Sequence, residues 1–186
     1  MNILKISNLN NKLLIASPSI HQGKLFHKSL IYITHHGDDG AFGLIINQPL
    51  NQLLNQIEDH LIISELKLEV YLGGPISTEK KFFLHSNEYN KNLLFDKSDN
   101  YLNVSTNSQI LQDISSGTGP KNTMIMVGYS SWQPGQLEFE IENGLWLLSE
   151  VDVDLVFLTN NQDKWEIALN SLLGDAKCYI PNIGSC

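Results

Sequence analysis

TMIMVGYSSWQPGQLE, residues 123–138, is the stretch whose reading decides how this chain folds. Its first seven residues are largely apolar and lack the alternation of a half-solvated strand, which places them at the centre of a sheet covered on both faces. The strand runs into a tight glycine-bounded corner carrying Tyr129 and Trp132, and pockets tend to gather at the carboxyl ends of strands. Pro134 suits the first turn of a helix, and Leu137 and Ile141 lie one turn apart, so a short helix follows with those two residues inward. Glu138, Glu140 and Glu142 then face solvent. Ser130 and Ser131 read as hydroxyls that cap or approach the first turn.

Upstream, residues 12–16 (KLLIA) form a first strand. SLIYITHH (29–36) and AFGLIIN (41–47) form a hairpin across GDDG, whose Gly and Asp residues supply turn conformations. Pro49 stops the second arm, and Leu53, Leu54 and Ile57 at helical spacing predict a short helix over 51–57. LEVYLGG (68–74), closed by Gly73, Gly74 and Pro75, and KFFLHS (81–86) are two more strands, and the polar segment 87–99 reads as a mobile surface loop. Thr106 and Gln109 have capping-box spacing ahead of Ile110, Leu111 and Ile114, with Gly117 ending that helix. Downstream, LWLLS (145–149) and DLVFLT (154–159) read as strands, and residues 163–173 as a last helix burying Trp165, Ala168, Leu169 and Leu172. Strands outnumber helices by about two to one, with both hairpins and helical crossovers. The expected fold is α+β: a single domain, 1–186, with a mixed, largely antiparallel β-sheet packed with α-helices.

Composition narrows the function classes. With 186 residues, 42% hydrophobic and 17% charged, the chain can bury one sizeable core. A net charge of −8 opposes the basic footprint that a phosphate backbone requires, so direct nucleic-acid binding is disfavoured. The longest apolar runs fall far short of the roughly 20 residues that span a bilayer, and the amino-terminal sequence has no signal-peptide pattern. A cytoplasmic protein is expected. Cys178 and Cys186 fit neither a zinc ribbon nor a redox pair and read as two reduced thiols.

Candidate chemistry is sparse. His35 and His36 are adjacent in a strand and point to opposite faces. His21 and His27 fall on a loop and His60 near a helix end, so only His85, at a strand end, could feed a cleft. Even there a neutral imidazole satisfied by a backbone partner is the simpler reading. GYSSW fails the nucleophile-elbow pattern, because Trp132 stands where the second Gly belongs. SSGTGP (115–120) follows a helix and lacks the Lys of a phosphate loop, so it reads as helix termination and a turn. The acidic pairs Asp38/Asp39, Glu138/Glu142 and Asp152/Asp154 have no third ligand tied to them and read as solvated charge, the last flanking a strand. No cofactor is implied.

Six motifs in order, FHKSL (26–30), GAFGLIINQP (40–49), YLGGPIS (71–77), FFLHS (82–86), SSGTGP (115–120) and GYSSWQPGQLEFEI (128–141), give the chain its likeness. It resembles the AlgH/YqgE-like family of bacterial proteins almost end to end, with Gln48 standing where that family usually carries Arg or Lys. The family has a regulator label and no established reaction. The resemblance implies a mixed sheet and a cleft near Asn47, Pro49, Gly74, His85, Tyr129 and Trp132. Gly73, Pro75, Gln136 and Glu138 complete the candidate ligand-binding residues. The leading expectation is a non-enzymatic binding or regulatory protein taking an unknown small molecule or a protein partner in that cleft. A regulator acting indirectly on transcription, and a hydrolase using His85 with a carboxylate such as Glu138, are the rivals.

Overall fold

A computed structural model describes residues 8–22, 24–53, 68–95 and 102–177. Nine strands and four helices lie among them: β1 (Lys12–Ala16), β2 (Leu30–Gly37), β3 (Gly40–Ile45), β4 (Pro49–Leu53), β5 (Glu69–Leu72), β6 (Ile76–Ser86), β7 (Leu102–Ser105), α1 (Gln109–Ser115), β8 (Thr123–Trp132), α2 (Gln136–Glu142), β9 (Trp146–Glu150), α3 (Val153–Phe157) and α4 (Asn161–Lys177). The main path of the sheet runs β4-β5-β8-β3-β2-β1-β9, with β6 paired to β8 and β7 to β6. Every pairing is antiparallel except β5 with β8. This is the expected mixed, largely antiparallel α+β architecture, with β8 at its centre.

Strand β8 is central because its ten residues serve three partners. Ile125–Val127 pair with β5, Ser130–Trp132 pair with β3, and β6 follows the strand from Thr123 to Tyr129. The chain therefore has to pass from one edge of β8 to the other between Leu72 and Ile76, and it does so on Gly73, Gly74 and Pro75. A Cβ on Gly73 would lie 2.3 Å from the Gly128 carbonyl oxygen, one on Gly74 2.1 Å from the Tyr129 carbonyl carbon, and one on Gly128 2.3 Å from the Gly74 carbonyl oxygen. Gly128 also has φ +70°, in the left-handed region. Two backbones cross there at a distance only glycine allows.

Alternation along the strands separates the core into two sides. One holds Leu13, Tyr32, Leu44, Phe82, Leu102 and Met126, covered by Leu155 and Val156 of α3 and Ala168 of α4. The sheet curls enough to bring the Tyr32 hydroxyl, which donates to the Asn11 side-chain oxygen at 2.5 Å, within 3.4 Å of the Leu102 carbonyl. The other side carries two clusters, one under α2 (Leu14, Ile31, Ile45, Trp132, Leu137, Trp146) and one under α1 (Phe83, Ile110, Leu111, Ile125). Asp163–Leu173 lies inside α4 as expected, with Ala168 buried and Trp165, Leu169 and Leu172 half-buried.

Several local expectations are overturned by tertiary partners. Residues 49–53 are strand and not the start of a helix, because Pro49 and Leu53 pair with Tyr71 and Glu69; residues 54–57 lie outside the described set. DLVFLT is largely helix: the Asp152 side chain caps α3 by accepting from the Asp154 and Leu155 amides, so Asp152 and Asp154 do not flank a strand. Helix α1 begins without a capping box; the Asn107 side chain accepts from the Gln109 amide instead. Residues 87–95 are tied down, since Tyr89 is buried and Leu94 donates to the Val104 carbonyl at 2.7 Å. That tie supports β7, a strand with no counterpart in the sequence reading. Ser130 and Ser131 belong to β8, and the cap of α2 is Gly135.

The crossing gives a direct test. Gly128→Ala should lower unfolding free energy by about 3 kcal/mol or more, combining left-handed backbone strain with a backbone clash. Gly117→Ala shares the positive φ but has open space around it, so it should cost only about 1–2 kcal/mol. Urea denaturation distinguishes the two, and equal losses would remove the crossing as the cause.

Candidate functional site

Strand β8 delivers Trp132 to the side of the sheet under α2, and β9 delivers Trp146 beside it. The indoles meet edge-on with centroids 6.2 Å apart, and Phe26 packs edge-on against Trp146 at 5.6 Å. Both indole N–H groups donate to one oxygen of Glu140, at 2.8 Å from Trp132 and 2.7 Å from Trp146. The other carboxylate oxygen accepts from the Gln136 side-chain amide at 2.9 Å, and the Gln136 carbonyl accepts from the Gln133 amide. One carboxylate thus fixes both aromatic walls, each charge-assisted bond contributing about 1.5–3 kcal/mol. Against these walls lies a cavity of about 350 Å³, closed by Pro75, Ile76, Ser131 and Leu145, with Lys24 also lining it. Glu140 is thus half-buried and engaged, and does not face solvent as the helical spacing predicts. Only the spacing Trp132…Glu140…Trp146 could have signalled this, and it means nothing until β9 is known to lie beside α2.

The sequence-selected residues divide among several places. Pro75, Trp132 and Gln136 line the cavity just described. Tyr129 points to the other side of the sheet from Trp132, because the two lie an odd number of positions apart along β8. It stacks on Phe42 at 4.6 Å and, with Phe82, Phe95 and Lys80, lines a second cavity of about 470 Å³. Gly73 and Gly74 make the crossing over β8. Asn47 braces the start of β2, its side chain accepting from the Leu30 amide and donating to the Lys28 carbonyl. Gln48 acts as a neutral brace, donating to the Leu25 carbonyl and the Ser29 hydroxyl. Pro49 sits in β4 opposite Tyr71.

His85 and Glu138 do not form a pair. His85 is fully buried, one ring nitrogen on the Ser86 carbonyl at 2.9 Å and the other on the Ser105 hydroxyl at 2.9 Å. It lies opposite Thr123, at the far end of β8 from Trp132, which at strand rise is roughly 25–30 Å away. Glu138 instead meets His36 at 2.9 Å, while His35 on the opposite face reaches Asp39 and stacks on Phe95. His60, Cys178 and Cys186 lie outside the described residues. Among the described residues no group of three or more His, Cys, Asp or Glu could hold a metal ion, and no helix is long and apolar enough to cross a membrane.

Sequence reasoning missed a larger cavity of about 550 Å³ at the amino ends of β5 and β8, against α3 and the first turn of α4. Its lining includes Lys164, a lysine 2% exposed whose Nζ donates to the Ile46 carbonyl at 3.1 Å. Burial pushes its ammonium down to about 8, with Glu69 acting in the opposite direction. The apolar periodicity of the last helix selects Trp165, Ala168, Leu169 and Leu172, and nothing in the local sequence marks Lys164 as buried.

A curled, mixed and largely antiparallel sheet packed with helices makes this an α+β fold, and comparison with known proteins shows the family that carries it. The AlgH-like family profile matches residues 13–177, and the chain belongs to that family. It is 43% identical over 182 residues to a UPF0301 protein of Rickettsia akari and 44% identical to one of Rickettsia typhi, with 96% of each chain covered in both cases. The solution structure of the AlgH protein from Pseudomonas aeruginosa superposes with a TM-score of 0.72 at 26% identity, covering 99% of this chain and 100% of that one. The crystal structure of a Corynebacterium diphtheriae protein shares the fold at a TM-score of 0.68 and 21% identity, covering 94% of this chain and 88% of that one.

The buried imidazole predicts a pH effect. Desolvation holds His85 below the ordinary histidine value of 6.5, with the Ser86 carbonyl and Glu88 acting in the opposite direction. Below about pH 6.5 the unfolded chain takes up a proton there before the folded chain does, so stability falls as pH falls. Denaturation at pH 7 and pH 5 should show a shallower loss in His85→Gln than in the wild type. Identical slopes would show that His85 does not drive the acid limb.

Proposed function

We propose that this protein is a non-enzymatic binding protein of the bacterial cytoplasm, and that a small molecule with an apolar or aromatic body occupies the pocket between Trp132 and Trp146. The observation that carries the reading is the single carboxylate of Glu140 holding both indole N–H groups. The pocket walls are therefore ordered before any guest arrives, and preorganisation of that kind removes much of the entropic cost of binding. The lining supplies contact area through Trp132, Trp146, Phe26, Ile76 and Leu145, with Lys24 and Ser131 available to orient a polar end. A bound guest would change the surface formed by α2 and the β5–β6 crossing. A protein partner could read that change, which makes an indirect regulatory role compatible with the site. The net charge of −8 argues against direct contact with nucleic acid. Hydrolysis by His85 and Glu138 finds no support, since one is sealed in the core and the other is engaged by His36 at the opposite end of β8.

Isothermal titration against a metabolite library tests the assignment. A ligand of the wild type should bind Trp132→Ala at least about 10-fold more weakly, the loss expected when an aromatic contact worth more than about 1.4 kcal/mol is removed. Trp132→Phe, which keeps a ring but loses the bond to Glu140, should fall between them. Equal affinity in wild type and Trp132→Ala would refute the pocket.

A further inference from the structure

The cavity beside Lys164 holds a set of groups whose needs the protein itself leaves unmet. A buried ammonium normally has a carboxylate against it, because removing the charge from water is costly without one. Among the described residues none lies within salt-bridge distance of the Lys164 Nζ; its contacts are the Ile46 carbonyl and the Tyr71 ring, 5.8 Å away. Two further buried atoms of lining residues have no hydrogen-bond partner, the Thr123 hydroxyl and the side-chain oxygen of Asn161.

The chemical sense of these groups can be worked out. Tyr71 donates its hydroxyl proton to Glu69 at 2.9 Å, and burial raises the Tyr71 pKa, so its oxygen is left to accept. The Asn161 side chain must then present its NH₂ to Tyr71, at 3.2 Å, which fixes the amide orientation and leaves its oxygen as an unspent acceptor. Glu69 and Asn161, both bonded to one hydroxyl, form an electron-rich pole. Lys164, one helical turn along α4 from Asn161 and with its Nζ over the Tyr71 ring, sets a cation beside that pole. The Thr123 hydroxyl opens on the α1 side of the sheet, with His85 and Ile125, and the apolar wall on the Lys164 side comes from Met124, Val156 and Phe157.

We propose that this cavity binds a free α-amino acid with an apolar side chain. Its carboxylate is the missing counter-ion of Lys164, its ammonium donates to Asn161 and Glu69, and its side chain lies on the apolar wall. A monocarboxylate alone would leave the Asn161 oxygen unsatisfied, and an amine alone would leave Lys164 unpaired. The site is separate from the Trp132 pocket, and neither assignment depends on the other.

Titration of the full chain with L-leucine, 4-methylpentanoate and 3-methylbutylamine, followed by calorimetry and by backbone amide shifts, tests this. L-leucine should bind, and each analogue lacking one charged group should bind at least 10-fold more weakly. Lys164→Met and Asn161→Leu should each weaken L-leucine at least 10-fold while thermal melting shows a folded protein. Thr123→Val, on the α1 side of the sheet, should leave L-leucine affinity unchanged, and the analogue series on the wild type stands even if the other two variants fail to fold. No saturable binding of L-leucine by the wild type with a Kd of about 1 mM or tighter, equal binding of either analogue, or undiminished binding by folded Lys164→Met would each overturn the proposal.

Discussion

The close passage of Gly73 and Gly74 over Gly128 is the constraint on which the rest of the structure depends. Strands β5 and β6 flank opposite edges of β8, so the connection between them must cross it, and three residues suffice only if no side chain intervenes. Two flanking strands stand about 9–10 Å apart across a central one, close to the reach of so short a connector. A longer connector would have had to loop around the end of β8, where the Lys164 cavity or the Trp132 pocket now lies. The left-handed kink at Gly128 has a second effect. It shifts the alternation of β8 by one position, sending Tyr129 to one side of the sheet and Ser130 and Trp132 to the other.

That shift in alternation divides the surface into chemically different places. The Trp132 side is built around a carboxylate, Glu140, that has spent its acceptors on the protein's own walls. The Tyr129 side is a stack of aromatic rings, Phe42, Phe82 and Phe95 among them. At the other end of β8 the Lys164 cavity keeps unspent donors and acceptors of opposite sign. His85, near that same end, is satisfied on both ring nitrogens and belongs to the core. Polar groups therefore have contrasting meanings here: those of the buried His85 and the half-buried Glu140 are closed networks that set positions, whereas those of Lys164, Thr123 and Asn161 are open.

Much of the fold was legible because it rests on short-range rules. The β2–β3 hairpin follows from Gly37-Asp38-Asp39-Gly40, the end of α1 from Gly117, and the centrality of β8 from an apolar run with no alternation. The failures share one cause. Residues 49–53 and 153–157 carry weak local preferences, and each was decided by what stood beside it: β5 for the first, an Asp152 cap over a hydrophobic surface for the second. The segment 102–105 was not read as a strand at all because its pairing partner, β6, lies about twenty residues away.

By itself the sequence determined the class of fold, the central strand and the family, and it marked Gly73, Gly74 and Pro75 as the end of a strand. It could do so because hydrophobic period and glycine placement act over a few residues. Which side chains share a cavity was decided only by tertiary structure. Glu140 became a clamp when β9 brought Trp146 against α2, and Lys164 became a buried, unpaired cation when α4 docked across the end of β3. Both depend on desolvation by distant segments, a property that no local window of residues contains.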